Sequence, residues 1–250
     1  MSYKIRETDS VNVRERYVYH TRKYPPKGTP RKKRENPTSA AMKKVNDANA
    51  VDKLFFKLCA NFTSEDLYLT LKYDGEVNKT ISPEQMKEDI KTYIRMLRTY
   101  YRKREMELKY IYVYGISENK VRHMHIVVNT TGENPSYLRV LWKKAVKHAG
   151  RATYENLWDD FDYRGLAEYM VKNGKQAIAF DPESFHQLYT PSRNLIQPKV
   201  EETVVKSSST FYNKCQIKAD EGYEVDENSI RSGYDSYGFK YLKFLMRKKE

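Results

Sequence analysis

The sequence predicts an α+β fold: a central antiparallel sheet of about five strands, one of them carrying a His-x-His pair, packed with helices. Three observations predict it. Leu67 to Tyr73 alternates with period two, placing Leu67, Leu69, Leu71 and Tyr73 on one face and Tyr68, Thr70 and Lys72 on the other. Lys109 to Gly115 and Val121 to Asn129 are rich in β-branched and aromatic residues and flank a short polar turn, Ser117 to Lys120, as a hairpin requires. Amphipathic helical patterns are interspersed with these runs without a repeated crossover unit, which favours an antiparallel sheet.

The remaining elements follow in order. Ala41, Val45, Ala48, Val51, Leu54, Phe55 and Leu58 mark a helix that ends near Asn61. Residues 75–80 read as a polar turn, after which Ser82 and Pro83 form an N-cap with proline at the first helical position. The helix they open is the clearest in the chain, with Met86, Ile90, Tyr93, Ile94, Leu97, Tyr100 and Tyr101 at spacings of three and four. A further helix starts near Pro135, with Leu138, Leu141, Trp142, Ala145, Val146 and Ala149 as its stripe and Gly150 as its stop. Asp162 is placed to cap a short helix from Tyr163 to about Asn173, closed by Gly174. Residues 176–180 and 199–205 read as short strands, 207–210 as a Ser/Thr linker and 219–229 as an acidic patch.

The chain has 250 residues and a net charge of +13, with 22 tyrosines and two cysteines, Cys59 and Cys215. The length suits one domain with extensions or two small ones. No stretch approaches the ~20 apolar residues of a membrane helix, and the start has no signal-peptide core, so the expectation is a soluble, cytoplasmic protein with no membrane partner. Two distant cysteines support neither a disulfide framework nor a zinc finger. The positive balance points to polyanions, nucleic acid above all. Residues 1–40 hold 11 basic and 4 acidic groups, four prolines and the run Arg31, Lys32, Lys33, Arg34. They read as a basic arm over 1–38 that lies along phosphates, ahead of a domain over 39–206 and a C-terminal extension over 207–250.

Two features point to chemistry. His123 and His125 alternate in the second hairpin strand, so both imidazoles leave the same face about 6.6 Å apart, within reach of one cation. Tyr169 and Lys172 lie three apart on one helical face, which sets an ammonium near the phenol or the anion it approaches. A phenol needs such a neighbour to act as a nucleophile. Tyr-x-x-Lys also occurs at Tyr24, Tyr100 and Tyr237, but those lie in the proline-rich arm, in a buried helical stripe and in the glycine-containing tail.

Leu69 to Tyr73 (LTLKY), His123 to Asn129 (HMHIVVN) and Tyr169 to Asn173 (YMVKN), in that order, resemble the three motifs of rolling-circle replication initiators of the HUH endonuclease superfamily, in particular the short replication-associated proteins of small plasmids, phages and related mobile elements. The resemblance spans roughly residues 40–200, and Ser192 to Leu195 is also similar to this group. It implies an HUH-like fold, with His123 and His125 as ligands of Mg²⁺ or Mn²⁺, Tyr169 as the nucleophile and Lys172 as the motif lysine. It further implies nicking of one DNA strand at an origin, a tyrosine joined to the 5′-phosphate, and a free 3′-OH for a polymerase. Thr70, Lys72 and Arg193, with Arg31 to Arg34, are then the DNA contacts. Tyr68, Tyr112 and Tyr163 are expected to stack on bases, at about 1–3 kcal/mol each.

A hard cation wants an oxygen ligand beside two imidazoles. Many relatives carry a glutamate in the preceding strand, near where this sequence has Tyr114 and Gly115, so Glu118 in the turn is the first choice; Glu168 points about 100° away from Tyr169. The implied partners are single-stranded DNA or an origin hairpin, with a host helicase and polymerase, since no P-loop sequence is present. A relaxase or single-tyrosine transposase shares the chemistry, and a non-catalytic basic DNA-binding protein is the alternative of another class.

Overall fold

Strand β3 (Leu67–Tyr73) is the second of five antiparallel strands in the sheet that carries the histidine pair. The order is β6-β3-β5-β4-β7, with β4 (Tyr110–Ile116), β5 (Arg122–Val128), β6 (Ala149–Asn156) and β7 (Thr190–Pro191). This is the computed structural model of the chain; it describes residues 2–21, 40–157, 162–205, 216–235 and 238–249. The chain divides into two units, Asn49–Leu195 and a second made of Met1–Ala48 with Ile196–Glu250. Two antiparallel five-stranded sheets with helices make the fold α+β.

The alternation in β3 does what its period requires. Leu67, Leu69, Leu71 and Tyr73 join Met124, Ile126 and Val128 of β5 in one core, to which helix α3 (Pro83–Arg102) adds Met86, Ile90, Tyr93, Leu97 and Tyr101, and helix α4 (Ser136–Ala145) adds Leu138 and Trp142. Ser82 caps α3 as its sequence predicts, its hydroxyl accepting from the Gln85 amide at 3.2 Å, with Pro83 at the first turn. The indole of Trp142 is fully buried, meets Tyr73 and Tyr93 edge-on, and donates to the Lys72 carbonyl at 3.2 Å. Residues 77–80, read as a turn, form the short helix α2 (Val77–Thr80).

The opposite face of the sheet meets helix α5 (Arg164–Phe180). Its start is fastened to helix α1 (Ala40–Asn61): the Arg164 guanidinium pairs with Asp52 at 2.8 Å and lies over the Phe55 ring, while the Tyr163 hydroxyl donates to the Phe62 carbonyl at 3.4 Å. The predicted stripe of α1 is buried only in its second half, at Leu54, Phe55 and Leu58; Val45 is half exposed.

Three expectations around glycines are corrected. Helix α5 does not close at Gly174 but continues to Phe180, so residues 176–180 are helical. A Cβ on Gly174 would run into the backbone of Leu188, so this glycine exists to let that segment lie against the helix. Asp162 does not cap the helix; the N-cap is Tyr163, which makes no side-chain cap bond. Likewise α4 ends at Ala145, and Gly150 belongs to β6, where a Cβ would strike the backbone of Tyr73 beside a register shift in the β3–β6 ladder. Gly174→Ala is expected to destabilise the protein by about 1–3 kcal/mol through overpacking. Thermal or urea unfolding measures this, and an unchanged midpoint would mean that the Leu188 segment does not need the close approach.

The second sheet, β8-β1-β2-β10-β9, revises the reading of the chain ends. Residues 1–38 were expected to form an arm without packed elements, yet strands β1 (Ser2–Asp9) and β2 (Val13–Thr21) form a hairpin. All four prolines of the arm lie from Pro25 onward, so averaging over 40 residues hid the alternation before them. Strand β8 (Lys199–Val205), expected within the catalytic domain, instead edges this sheet beside β1, and β9 (Tyr223–Tyr234) and β10 (Lys240–Lys248) complete it. Ile5, Val18 and Val205 form one small core here, and Leu242, Phe244 and Met246 another. The acidic patch has partners: Asp220 pairs with Arg14 and Arg16, and Asp226 with Arg247. The run Arg31 to Arg34 and the linker 207–210 lie outside the described residues. No helix among the described residues is long and apolar enough to cross a membrane.

Candidate active site

Antiparallel register assembles the site. His125 stands opposite Thr70 of β3 and Val113 of β4, and His123 opposite Lys72 and Gly115. The imidazole centroids are 4.7 Å apart and the rings are nearly perpendicular. His123 Nδ1 donates to the Val121 carbonyl at 3.2 Å, since a carbonyl can only accept; the neutral ring therefore carries its lone pair on Nε2. His125 Nδ1 meets the Tyr68 hydroxyl at 2.6 Å and the Thr70 hydroxyl at 3.1 Å, which leaves Nε2 to face the helix. Both rings are thus oriented through Nδ1 and present Nε2, the arrangement by which outer hydrogen bonds orient imidazole ligands.

Burial holds both imidazoles in the neutral form a ligand needs. His123 is lowered by burial and the Lys72 charge. His125 is pushed down to about 3 by burial, with the neighbouring His123 and Lys72 adding to it.

Across from the pair, α5 presents one face. The Tyr169 hydroxyl lies 3.2 Å from His125 Nε2, and the residue is 47% exposed, so a phenol at the mouth of the site remains open to a ligand. Tyr169, Lys172, Asn173 and Gln176, at helical spacings of three and four, line a cavity of ≈ 330 Å³ together with His123 and Glu118. Asn173 is 5% exposed, and its amide donates to the Tyr169 carbonyl at 2.9 Å.

His123, His125, Tyr169 and Lys172 are therefore brought together. Glu118 lines the same cavity from the exposed β4–β5 turn, but among the described residues no three His, Cys, Asp or Glu side chains are grouped to hold a metal. Lys72 and Thr70 share the histidine face of β3, with Lys72 exposed. Arg193 is elsewhere: Ser192, its neighbour, bonds Tyr110, five residues along β4 from Gly115, or about 17 Å. The three tyrosines expected to stack on bases are otherwise engaged. Tyr163 is fully buried, Tyr68 is held on His125 with burial pushing its phenol up, and Tyr112 packs against the main core. Sequence reasoning missed Tyr68 as a positioning residue and Asn173 altogether. The signals were present: Tyr68 shares the Thr70 face of β3, and Asn173 follows Tyr169 by one helical turn.

The donor set suits a divalent cation. Two neutral imidazoles converge, their Nδ1 atoms are engaged, and the strand position facing His123 is a glycine whose missing Cβ leaves room that a side chain would take from the ring. His123 and His125 would hold the ion through Nε2.

No curated protein matches the chain. Among solved structures it is similar to the N-terminal nuclease domain of the non-structural protein-1 of minute virus of mice, described as having a unique Zn²⁺ coordination in its active-site pocket and a novel mode of DNA recognition at the origin of replication. The identity is 9% and the TM-score 0.25, over 63% of this chain and 77% of that chain. Residues 66–174, from the start of β3 through the histidine strand to the Tyr169 helix, match the family of the replication-associated protein ORF2.

Proposed function

We propose that the protein is a single-strand DNA nicking and joining endonuclease of the HUH type that initiates rolling-circle replication. One observation carries this reading: an exposed tyrosine hydroxyl 3.2 Å from the Nε2 of a buried, neutral histidine, in one cavity with a second histidine and a lysine. A relaxase or a single-tyrosine transposase would use the same arrangement; the match of the site-bearing segment to replication-associated proteins favours initiation.

Tyr169 Oη attacks the scissile phosphorus in line with the departing O3′. The Oη–P bond forms as the P–O3′ bond breaks, the phenol proton passes to solvent, and the departing oxygen takes up a proton to become the free 3′-OH. A bound Mg²⁺ or Mn²⁺ supplies charge compensation on a non-bridging phosphate oxygen. Lys172, one turn from Tyr169, sets a fixed positive charge beside the developing phenolate and the phosphate. Attack by a 3′-OH on the phosphotyrosine reverses the step and joins strands.

Lys72 and Thr70, on the histidine face of β3, are proposed to receive the strand next to the scissile phosphate. Arg31, Lys32, Lys33 and Arg34 are proposed to add sequence-independent phosphate contacts. Arg193 is proposed to contact DNA well away from the cleavage site. A host helicase and polymerase would supply unwinding and extension.

The test is incubation with Mn²⁺ and single-stranded oligonucleotides of the replicon's origin, followed by a denaturing gel. A covalent protein–DNA band that chelation abolishes is expected; no band with any divalent metal would sink the proposal. Replacing Arg31, Lys32, Lys33 and Arg34 with alanine should flatten the slope of log affinity against log salt by about 3, at ~0.7 per lost phosphate contact. Fluorescence anisotropy across a salt series checks this, and an unchanged slope would remove the run from the interface.

A further inference from the structure

We infer that the Asn173 carboxamide oxygen is the third protein ligand of the divalent cation, in place of a strand carboxylate, and that the site is built from neutral donors only. The inference rests on the metal-dependent reading above and goes beyond it.

The geometry assigns the atom by elimination. The Asn173 side chain comes within hydrogen-bonding range of the His123 imidazole. His123 Nδ1 is committed to the Val121 carbonyl, so the nitrogen facing Asn173 is Nε2. Asn173 Nδ2 is committed to the Tyr169 carbonyl, so the atom facing the ring is Oδ1. A neutral imidazole whose proton is on Nδ1 and an amide oxygen then direct lone pairs at each other. Two acceptors face each other stably only with a cation between them.

The surroundings close the other routes. On β4 the residue opposite His123 is Gly115, which carries no donor, and a Cβ there would lie under 3.0 Å from atoms of the imidazole. Glu118 lies beyond the end of β4, exposed in the turn. Asn173, in contrast, is 5% exposed and sits on a helix that also fixes Tyr169 one turn earlier, so the ligand and the nucleophile are held by one rigid element. An amide oxygen also meets the hard cation's need for an oxygen ligand beside nitrogen.

Without a carboxylate the bound ion keeps its whole double charge. Such a site holds its ion weakly alone and more firmly once a phosphate arrives, because affinity for these cations follows ligand charge.

Mn²⁺ binding to the full chain, without DNA, is measured by electron paramagnetic resonance of the free ion for wild type, His125→Ala, Asn173→Leu, Asn173→Asp and Glu118→Ala. We expect His125→Ala and Asn173→Leu each to weaken binding by at least about tenfold, and Asn173→Asp to tighten it by at least about tenfold. Glu118→Ala should stay within about twofold of wild type. If wild type binds no better than His125→Ala, the metal reading itself falls and this inference with it. If His125→Ala loses the ion while Asn173→Leu keeps it, or Glu118→Ala loses it, the metal reading stands and the Asn173 assignment is overturned. Should Asn173→Leu fail to fold, the aspartate variant decides: unchanged affinity there overturns the assignment.

Discussion

Tyr169→Phe should abolish the covalent protein–DNA adduct, lowering its formation by at least about a thousandfold, because no other group replaces a lost nucleophile. The substitution deletes one oxygen at a position that is 47% exposed, so the fold should be unaffected. The sharper comparison is with Tyr68→Phe. Both hydroxyls contact His125, Tyr68 at Nδ1 and Tyr169 at Nε2, from opposite sides of the ring. Losing the Tyr68 hydroxyl leaves Thr70 to hold Nδ1, so the ring keeps one partner, and a loss of about 10- to 100-fold in rate or metal affinity is expected, with the adduct still forming. Adduct yield on a denaturing gel, taken with Mn²⁺ affinity, separates the two. An adduct that persists in Tyr169→Phe would pass the nucleophile to another tyrosine, and a Tyr68→Phe variant with neither property changed would remove the positioning role.

Trp142→Ala should carry the largest cost in stability, about 3–5 kcal/mol. The indole is completely buried between Tyr73 and Tyr93, and its N–H satisfies the Lys72 carbonyl. Truncation leaves a cavity in the main core and removes the donor from that backbone oxygen. Lys72 lies in register with His123, so the damage is transmitted to the strand beside the site. Urea unfolding should show a lower midpoint, and residual nicking should fall in parallel with the folded fraction. A stability within about 1 kcal/mol of wild type would show that the core closes over the missing ring.

The strands that carry the site were legible because their signals are local. β3, β4 and β5 each alternate or cluster β-branched and aromatic residues, and a polar turn of the right length joins the last two. The cap of α3 and the pairing of two histidines on one face follow from the same kind of arithmetic. β6 was illegible for the opposite reason. Ala-Gly-Arg-Ala-Thr has neither pattern nor propensity, and the segment is a strand only because the edge of β3 offers it a ladder. Gly150 and Gly174 looked like helix stops, the usual local meaning of glycine. Each is instead explained by a backbone that arrives from far along the chain, at Tyr73 and at Leu188.

The sequence by itself determined the class of fold, the histidine strand and the order of motifs that ends at Tyr169, since period, turn chemistry and spacing are properties of neighbouring residues. Only the tertiary structure decided which atoms meet: that His125 is clamped by Tyr68 and Thr70, that Gly115 leaves the strand without a donor, that Asn173 turns toward His123, and that the two ends of the chain pair into a sheet of their own. The physical reason is range. A side chain's face can be read from its own segment, whereas its partner is set by strand register and helix packing, which bring together residues dozens of positions apart.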